Sequence, residues 1–528
     1  MSRPATSGAD AAPGTRISAV LFDMDGVVTD TATAHFAAWK QLFDAYLRSR
    51  TEGDAFEPFT EIDYRIYVDG KLRYDGVRSF LESRGILLPR GDEDDAPGRE
   101  TICGLGNRKN RYFNAWLEEN RTEAFPGTLA LMDKLKAAGV KLAVFSSSRN
   151  AAAVLRSAGV LELFDAKVDG EDMAELDLPG KPDPAILVQS LERLGARVEG
   201  AAVVEDASSG VEAGVRGGFS PVIGVAREGH RAELADAGAD IVLADLGELD
   251  FDPTTMSLFV KTLHNLPLAR DREDELRERL AGKRPVVFLD YDGTLTPIVE
   301  DPKQAILSDG MKQAVKRLAL SLPTAIVSGR DLDDVRAFVG LDGLFYAGSH
   351  GFAMAGPGGW REDVEQGKAF LPDLDRAESA LSDALRDIEG ASVERKSFSL
   401  AVHFRKVNKA DMPDVEDAVD AVMARFERLR HSAGKKIFDV KPRTDWHKGR
   451  ALTALLERRG LDKPDVVPVY LGDDTTDEDA FRAISRRGIG LVVRDEKDRP
   501  TAARYALADT ADVERFLEWL ATHGSSGN

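Results

Sequence analysis

"VVFLDYDGTLTP", residues 286–297, is an apolar run that stops abruptly at Asp-Tyr-Asp-Gly-Thr, and a near copy, "AVLFDMDGVVTD", occupies residues 19–30. A short run rich in Val, Leu and Phe fits a strand buried on both faces, and such strands belong to parallel sheets covered by helices. Each copy is followed by the same rhythm. "KLAVFSSS", "GAAVVEDASS" and "SPVIGVA" come after the first, "PTAIVSGR" and "VPVYLGDD" after the second, with helix-like stretches between them. The expected fold class is α/β, with two parallel-sheet cores in one chain.

The two halves share a ruler. Lys181 of "GKPDPA" lies 158 residues after Asp23 and Asp206 of "VVEDASSG" lies 183 after it; Lys448 of "WHKGRA" and Asp473 of "YLGDDTTDED" stand at the same intervals from Asp290. The strand-end serine does not keep step, since Ser146 follows its aspartate by 123 residues and Ser328 by 38. A common core with one insertion before the serine and another after it gives this pattern. The first insertion, about 33–122, carries apolar residues at helical spacing in "AHFAAWKQLFDAYL" and "NRKNRYFNAWLEEN" and reads as a helical cap. The second, about 352–440, mixes "DVEDAVDAVMARFERL" with the strand-like "SFSLAVHFR" and "KKIFDV" and reads as an α+β cap.

The ordered set Asp, Ser, Lys, Asp has a chemistry. A parallel strand delivers its last carboxylates to the mouth of the sheet, where open α/β folds bind ligands. Two aspartates joined by a third from "GDD" make an all-oxygen site suited to Mg²⁺. One carboxylate can attack phosphorus while its neighbour protonates the leaving alcohol and then activates water. A serine and a lysine can neutralise the transferring phosphoryl oxygens. An isolated Asp-x-Asp-Gly also reads as a turn or a calcium loop, but neither copy has the alternating carboxylates of such a loop.

The totals set the bounds. At 528 residues the chain has room for three or four units at roughly 150 residues each. With 43% hydrophobic and 30% charged residues, and no apolar run of the ~20 residues a bilayer requires, it is expected to be globular and away from membranes. A formal charge of −20 argues against nucleic acid as a partner, though not against a small anion met by local basic groups. The single cysteine, Cys103, leaves no internal disulfide and fits a reducing cytoplasm. Residues 1–16 and 521–528 read as tails, and 251–283, ending in a charge-dense amphipathic pattern, as a helical linker without strand signal between units 17–250 and 284–520.

These motifs resemble the haloacid dehalogenase-like superfamily of aspartyl-phosphate enzymes, which implies Rossmann-like cores and one Mg²⁺ in each. Residues 284–520 resemble trehalose-6-phosphate phosphatases through "DYDGTLTPIV", "SGRD", "GSHG", "KSFSLAVHFR", "WHKG" and "LGDDTTDEDAF". The resemblance implies Asp290 as nucleophile, Asp292 as acid/base, and Ser328 and Lys448 on the phosphate. It implies Asp290, Asp292 (through its carbonyl) and Asp473 around the metal, with Asp477 supporting its waters. Substrate contacts are implied for Arg330, Lys396, His403, Arg405 and Asp439, the last standing where the family usually has glutamate.

Residues 17–250 resemble β-phosphoglucomutases. "FDMDGVVTDTATAHFAAWK" supplies Asp23, Asp25, Thr31 and His35, "VDGKLRYDG" Arg73, "GNRKN" Lys109 and Asn110, "SSSRN" Ser146 and Asn150, "GKPDPA" Lys181, and "VEDASSG" Glu205 and Asp206. In that reading Asp23, Asp25, Ser146 and Lys181 are catalytic, Asp23, Asp25, Glu205 and Asp206 hold metal, and the remainder bind substrate. Asp69 departs from it, standing where a lysine is usual. The function expected is a Mg²⁺-dependent trehalose-6-phosphate phosphatase fused to a domain interconverting β-glucose 1-phosphate and glucose 6-phosphate, acting on small sugar phosphates. The alternatives for the first half are a generic sugar-phosphate phosphatase or a non-catalytic regulatory module. Oligomeric state is not legible.

Overall fold

The structure is a computed structural model that describes residues 16–50, 57–69, 71–119, 122–227, 229–299, 302–426, 428–433, 437–444 and 446–524. Of the terminal tails expected at 1–16 and 521–528, residues 1–15 and 525–528 lie outside these residues. The chain divides into two compact units, Met1–Lys261 and Thr262–Asn528.

In the first unit, strands β1 (Ala19–Asp23), β2 (Lys141–Phe145), β3 (Ala166–Val168), β4 (Ala201–Glu205), β5 (Val222–Val225) and β6 (Ile241–Leu243) form one sheet in the order 3-2-1-4-5-6, every pair parallel. Every residue of β1 is buried because both faces are covered. Val20 and Phe22 enter one apolar cluster while Ala19 and Leu21 enter the other, as alternation along a strand requires. The chain winds away from β1 in both directions, so the crevice beyond the strand ends opens beside Asp23. Between β1 and β2 the chain forms a helical module whose long helices are Ala32–Arg48, Arg73–Ser83 and Ile102–Glu119, packed around Phe43, Phe59 and Phe80.

The segment 251–283, expected as a helical linker without strand signal, has its helix at the end but begins in a hairpin. Leu249–Asp252 (β7) and Ser257–Val260 (β8) form an antiparallel hairpin, and the only α-helix among the described residues of 251–283 is Glu273–Leu280. Alternation in "LDFD", with Leu249 and Phe251 buried, is the strand signal that a charge-based reading overlooks.

The second unit contains β9 (Arg284–Leu289), β10 (Thr324–Val327), β11 (Phe345–Gly348), β12 (Ala353–Ala355), β13 (Arg361–Asp363), β14 (Ser392–Arg395), β15 (Leu400–His403), β16 (Leu429–Ala433), β17 (Ile437–Pro442), β18 (Val466–Gly472), β19 (Ile489–Val493) and β20 (Tyr505–Leu507). The core sheet runs 13-12-11-10-9-18-19-20, parallel from β11 to β20 and antiparallel at the β12–β13 edge. Since β12 and β13 extend the core sheet, the inserted module starts after residue 363 and not at 352. The tail placed at 521–528 begins too early as well, because the last helix, Thr510–His523, buries Phe516, Leu517 and Leu520.

The inserted module is an antiparallel sheet, 14-15-17-16, with helices Leu371–Ala384 and Met412–Met423. Leu400, Val402, Phe438 and Val440 face those helices. Ala401, His403, Asp439 and Lys441 share the opposite, polar face by the register of β15 with β17. Among the described residues, no helix is long and apolar enough to cross a membrane.

Candidate active sites

The loop after β1 and the loop after β9 are the same object. Gly26 N–H donates to the Thr29 carbonyl at 2.9 Å, and Gly293 N–H to that of Thr296 at 2.8 Å. Both glycines sit at positive φ, +75° and +81°. A side chain there would collide with a carboxylate: a Cβ built on Gly26 lies 1.7 Å from Asp206 Oδ2, and one on Gly293 lies 2.0 Å from Asp473 Oδ2. Only glycine lets the aspartate of the distant loop close on the strand end.

Each core then builds a triangle around a buried lysine. Lys181 Nζ donates to Asp23 Oδ1 at 2.6 Å and to Glu205 Oε1; Lys448 Nζ donates to Asp290 Oδ1 at 2.8 Å and to Asp477 Oδ1 at 2.7 Å. Burial works against each ammonium, but its two carboxylate partners outweigh that and raise both lysines above their ordinary value. The third corner also anchors the acidic loop. Glu205 accepts from the backbone of Asp206 and Ala207, both at 2.9 Å, and Asp477 from that of Asp473 at 3.0 Å and Asp474 at 3.1 Å, with Tyr470 Oη at 2.5 Å.

Carboxylates outnumber cations at both centres. Asp23, Glu205 and Asp206, and likewise Asp290, Asp473 and Asp477, each offer an oxygen within 4.8 Å of the others. Burial pushes Asp23, Asp206 and Asp290 well above the usual carboxylate range, against the pull of the lysine. Burial, with Asp477 and Asp474 beside it, takes Asp473 up to about 8. An all-oxygen set that resists ionising without a further positive charge fits a hard divalent cation, and the glycine gaps give the cluster room to close.

The second carboxylate of each loop is held differently. Asp25 accepts from Thr31 Oγ1, with Ser146 Oγ and His35 Nε2 at 3.5 Å. Asp292 is gripped by Arg330, Nε to Oδ2 at 2.7 Å and Nη2 to Oδ1 at 2.5 Å.

The first unit gathers its sequence-derived set. Asp23, Asp25, His35, Arg73, Lys109, Asn110, Ser146, Asn150, Lys181, Glu205 and Asp206 line one cavity of about 560 Å³, and Thr31 reaches it through Asp25. Asn150 Nδ2 donates to Asn110 Oδ1 at 2.7 Å, joining core to helical module. Lys109 Nζ lies 2.9 Å from His35 Nδ1. Burial, then Arg73, brings Lys109 down to about 7, and burial, then Lys109, drives His35 well below its ordinary value. Asp69 lines the cavity too, raised to about 6 by burial and the nearby Glu205. The acidic stretch 90–100 is a surface loop, and its Arg90 and Glu93 also line the cavity, with Glu93 paired to Arg149 at 2.6 Å.

The second unit gathers only part of its set. A smaller cavity of about 80 Å³ is lined by Lys448 together with His350, Phe398, Arg430, Lys441 and Trp446. His350 is held well below its ordinary value by burial and by Lys441, Lys448 and Lys396 around it. His403 lies four residues beyond the lining Ser399, roughly 13 Å along the strand, and pairs with Glu394 at 2.7 Å. Arg405 is exposed at the same end. Asp439 pairs with Lys441 at 2.6 Å, and its Oδ1 is buried without a hydrogen-bond partner among the described residues. Sequence reading missed His350, Arg430 and Lys441. The strained "GSHG" turn, with Ser349 and His350 both at positive φ, was the available signal for the first.

Comparison with known proteins agrees with this division. The trehalose-phosphatase family matches residues 288–511, and the haloacid dehalogenase-like hydrolase family matches residues 17–218. A protein of Mycobacterium tuberculosis named an uncharacterized glycosyl hydrolase is 40% identical over 95% of this chain, which spans only 38% of that protein's length. The trehalose-phosphate phosphatase of Mycobacterium leprae is 37% identical over 75% of this chain and 92% of its own. A solved β-phosphoglucomutase of Clostridium difficile is 25% identical over 44% of this chain and 92% of its own, with a TM-score of 0.35. The chain belongs to the trehalose-phosphatase family, with a second haloacid dehalogenase-like core in its N-terminal half.

Proposed function

We propose that the second unit hydrolyses trehalose 6-phosphate to trehalose and phosphate through an aspartyl-phosphate. The observation that carries this reading is the Asp290–Lys448–Asp477 triangle at the strand end, with Ser328 on the neighbouring strand end and the polar face of the inserted sheet bearing Arg430 and Lys441. Asp290 attacks phosphorus while Lys448 and Ser328 hold the phosphoryl oxygens. Asp292 passes a proton to the sugar oxygen as the P–O bond breaks, then takes one from the water that cleaves the aspartyl-phosphate. A Mg²⁺ held by Asp290, Asp473 and the Asp292 carbonyl would supply charge neutralisation for the phosphoryl group. Lys396 and Asp439 are taken as contacts to the sugar, while His403 and Arg405 would need the inserted module to move before they met it.

For the first unit we propose a β-phosphoglucomutase-like reaction between β-glucose 1-phosphate and glucose 6-phosphate. Its cavity is lined by Asp23, Asp25 and Asp206 of the core, by Arg73 and Arg90 of the inserted helical module and by Arg149 of the core loop after β2, a set suited to a ligand with two anionic ends. Asp23 would be the nucleophile, Asp25 the acid/base, and Asp23 and Asp206 the metal ligands. Both units would work on small sugar phosphates in the cytoplasm.

The test is a crossed pair of variants in the full chain. Asp290→Asn is expected to remove phosphate release from trehalose 6-phosphate by a factor of roughly a thousand or more and to leave the conversion of β-glucose 1-phosphate intact; Asp23→Asn is expected to do the reverse. Normal hydrolysis by Asp290→Asn would overturn the first assignment. Wild-type protein without mutase activity in the presence of a glucose bisphosphate would overturn the second.

A further inference from the structure

Asp292 must have a free oxygen if it is to serve as acid and base, and in this structure both of its oxygens are engaged. Arg330 meets them in the two-pronged geometry by which a guanidinium matches a carboxylate, at 2.7 and 2.5 Å. The guanidinium is supported from behind by Phe338 and Tyr291, whose ring centres lie 4.7 and 5.3 Å from its carbon. Its own backbone N–H donates to Ser328 Oγ at 3.1 Å, so it rides on the turn that carries the phosphate-binding serine. Arg330 is 14% exposed and Asp292 44%, so the carboxylate remains open to solvent on the side away from the guanidinium.

The other core provides an internal contrast. Ser148 occupies the place of Arg330 in the same turn, its N–H donating to Ser146 Oγ at 3.1 Å. There the equivalent carboxylate, Asp25, is met by Thr31, Ser146 and His35. The turn therefore does not demand an arginine for its own construction.

We propose that Arg330 is a positioning residue that idles the second site: before substrate arrives it occupies both oxygens of Asp292, and the sugar oxygens flanking the bound phosphate draw it away and release Asp292 to act. The proposal rests on the phosphatase reading of this site. The exchange makes and breaks no covalent bond. The guanidinium trades a carboxylate for neutral sugar oxygens beside a phosphate, whose charge compensates it throughout. Asp292, freed at the same moment, faces the leaving oxygen. A partly exposed ion pair favours its closed state by about fivefold, so a substrate offering several oxygens can displace it. A phosphate ester without a sugar leaves it in place.

Rates on two esters separate this device from a merely structural role. The first is trehalose 6-phosphate; the second is p-nitrophenyl phosphate, whose leaving group departs without a proton and carries no sugar, but whose aspartyl-phosphate still needs Asp292 to activate water. In Arg330→Gln full chain, KM for trehalose 6-phosphate is expected to rise roughly tenfold from the lost contact. Turnover of p-nitrophenyl phosphate is expected to rise up to about fivefold as the idle state disappears. Arg330→Lys, which keeps the charge but not the fork, moves both quantities the same way by less. In an Asp292→Asn background, Arg330→Gln gives no gain on the aryl ester. A fall or no change on that ester in both Arg330 variants, or a gain that survives in Asp292→Asn, overturns the proposal. If wild-type protein hydrolyses the aryl ester but not trehalose 6-phosphate, the substrate reading falls, and the clamp is judged on the aryl ester alone.

Discussion

Asp25 and Asp292 stand at the same point of the same loop, two residues after Asp23 and Asp290 and one before a glycine at positive φ, yet different partners hold them. Asp25 is 25% exposed, bonded to Thr31 and backed by His35 and Lys109, and burial raises it above the usual carboxylate range. Asp292 is 44% exposed and clamped by Arg330. The residue six positions after Asp292, where Thr31 stands in the first core, is Ile298, and it is 59% exposed. A shared loop thus fixes where the carboxylate is, and its neighbours decide what it is ready to do.

The lysine triangles teach the opposite lesson. Lys181 joins Asp23 to Glu205 and Lys448 joins Asp290 to Asp477, with the same contacts made by residues from different places in the chain. Glu205 stands one residue before Asp206, whereas Asp477 stands four after Asp473. The longer glutamate arm reaches from the strand end itself, and the shorter aspartate reaches back from the start of a helix.

If the triangles are equivalent, breaking either lysine should produce the largest effects. Lys448→Met and Lys181→Met each leave two buried carboxylates without their cation and are expected to cost about 3–5 kcal/mol in the unit concerned, read as an early thermal transition with loss of that unit's activity. A normal transition in one variant only would break the equivalence. Next in size, Glu205→Gln and Asp477→Asn should raise the Mg²⁺ concentration for half-maximal activity by roughly 10- to 100-fold, each in its own reaction, because both orient the loop that offers the metal-binding aspartate. Gly26→Ala and Gly293→Ala push a methyl group against Asp206 and Asp473 and should shift the same titration by roughly tenfold. A response from one glycine alone would show that only one loop has to close. The smallest effect belongs to the contrast itself: Ser148→Arg gives the first core the side chain of the second and should lower its turnover by up to about fivefold. A larger loss would mean that Ser148 contacts substrate directly.

Much of the fold was legible because it rests on local pattern. Buried parallel strands write themselves as unbroken apolar runs, so β1, β4, β9 and β18 and their order could be read directly. Short edge strands cannot, since three residues carry no periodicity; β12 and β13 were assigned to the inserted module and belong to the core sheet. The β7–β8 hairpin does carry alternation in "LDFD", but that signal is overshadowed by the conspicuous charged helix beside it. In the first site the motif residues converge on one cavity. In the second, His403 and Arg405 lie at the far end of a strand whose near end lines the cavity, and a motif has no means of stating which end of a strand faces inward.

The sequence by itself determined that there are two cores built on one ordered set of aspartate, serine, lysine and aspartate. It could do so because each strand and its acidic pair form a local pattern within a dozen residues, and because the order of the more distant serine and lysine repeats in both halves. Only the tertiary structure decided that Arg330 grips Asp292 while Thr31 serves Asp25, that Asp477 does the work of Glu205, and that Arg90 and Glu93 of an acidic loop reach the first cavity. Each of those is a meeting of side chains brought together by packing, and the distance between them in the chain carries no trace of it.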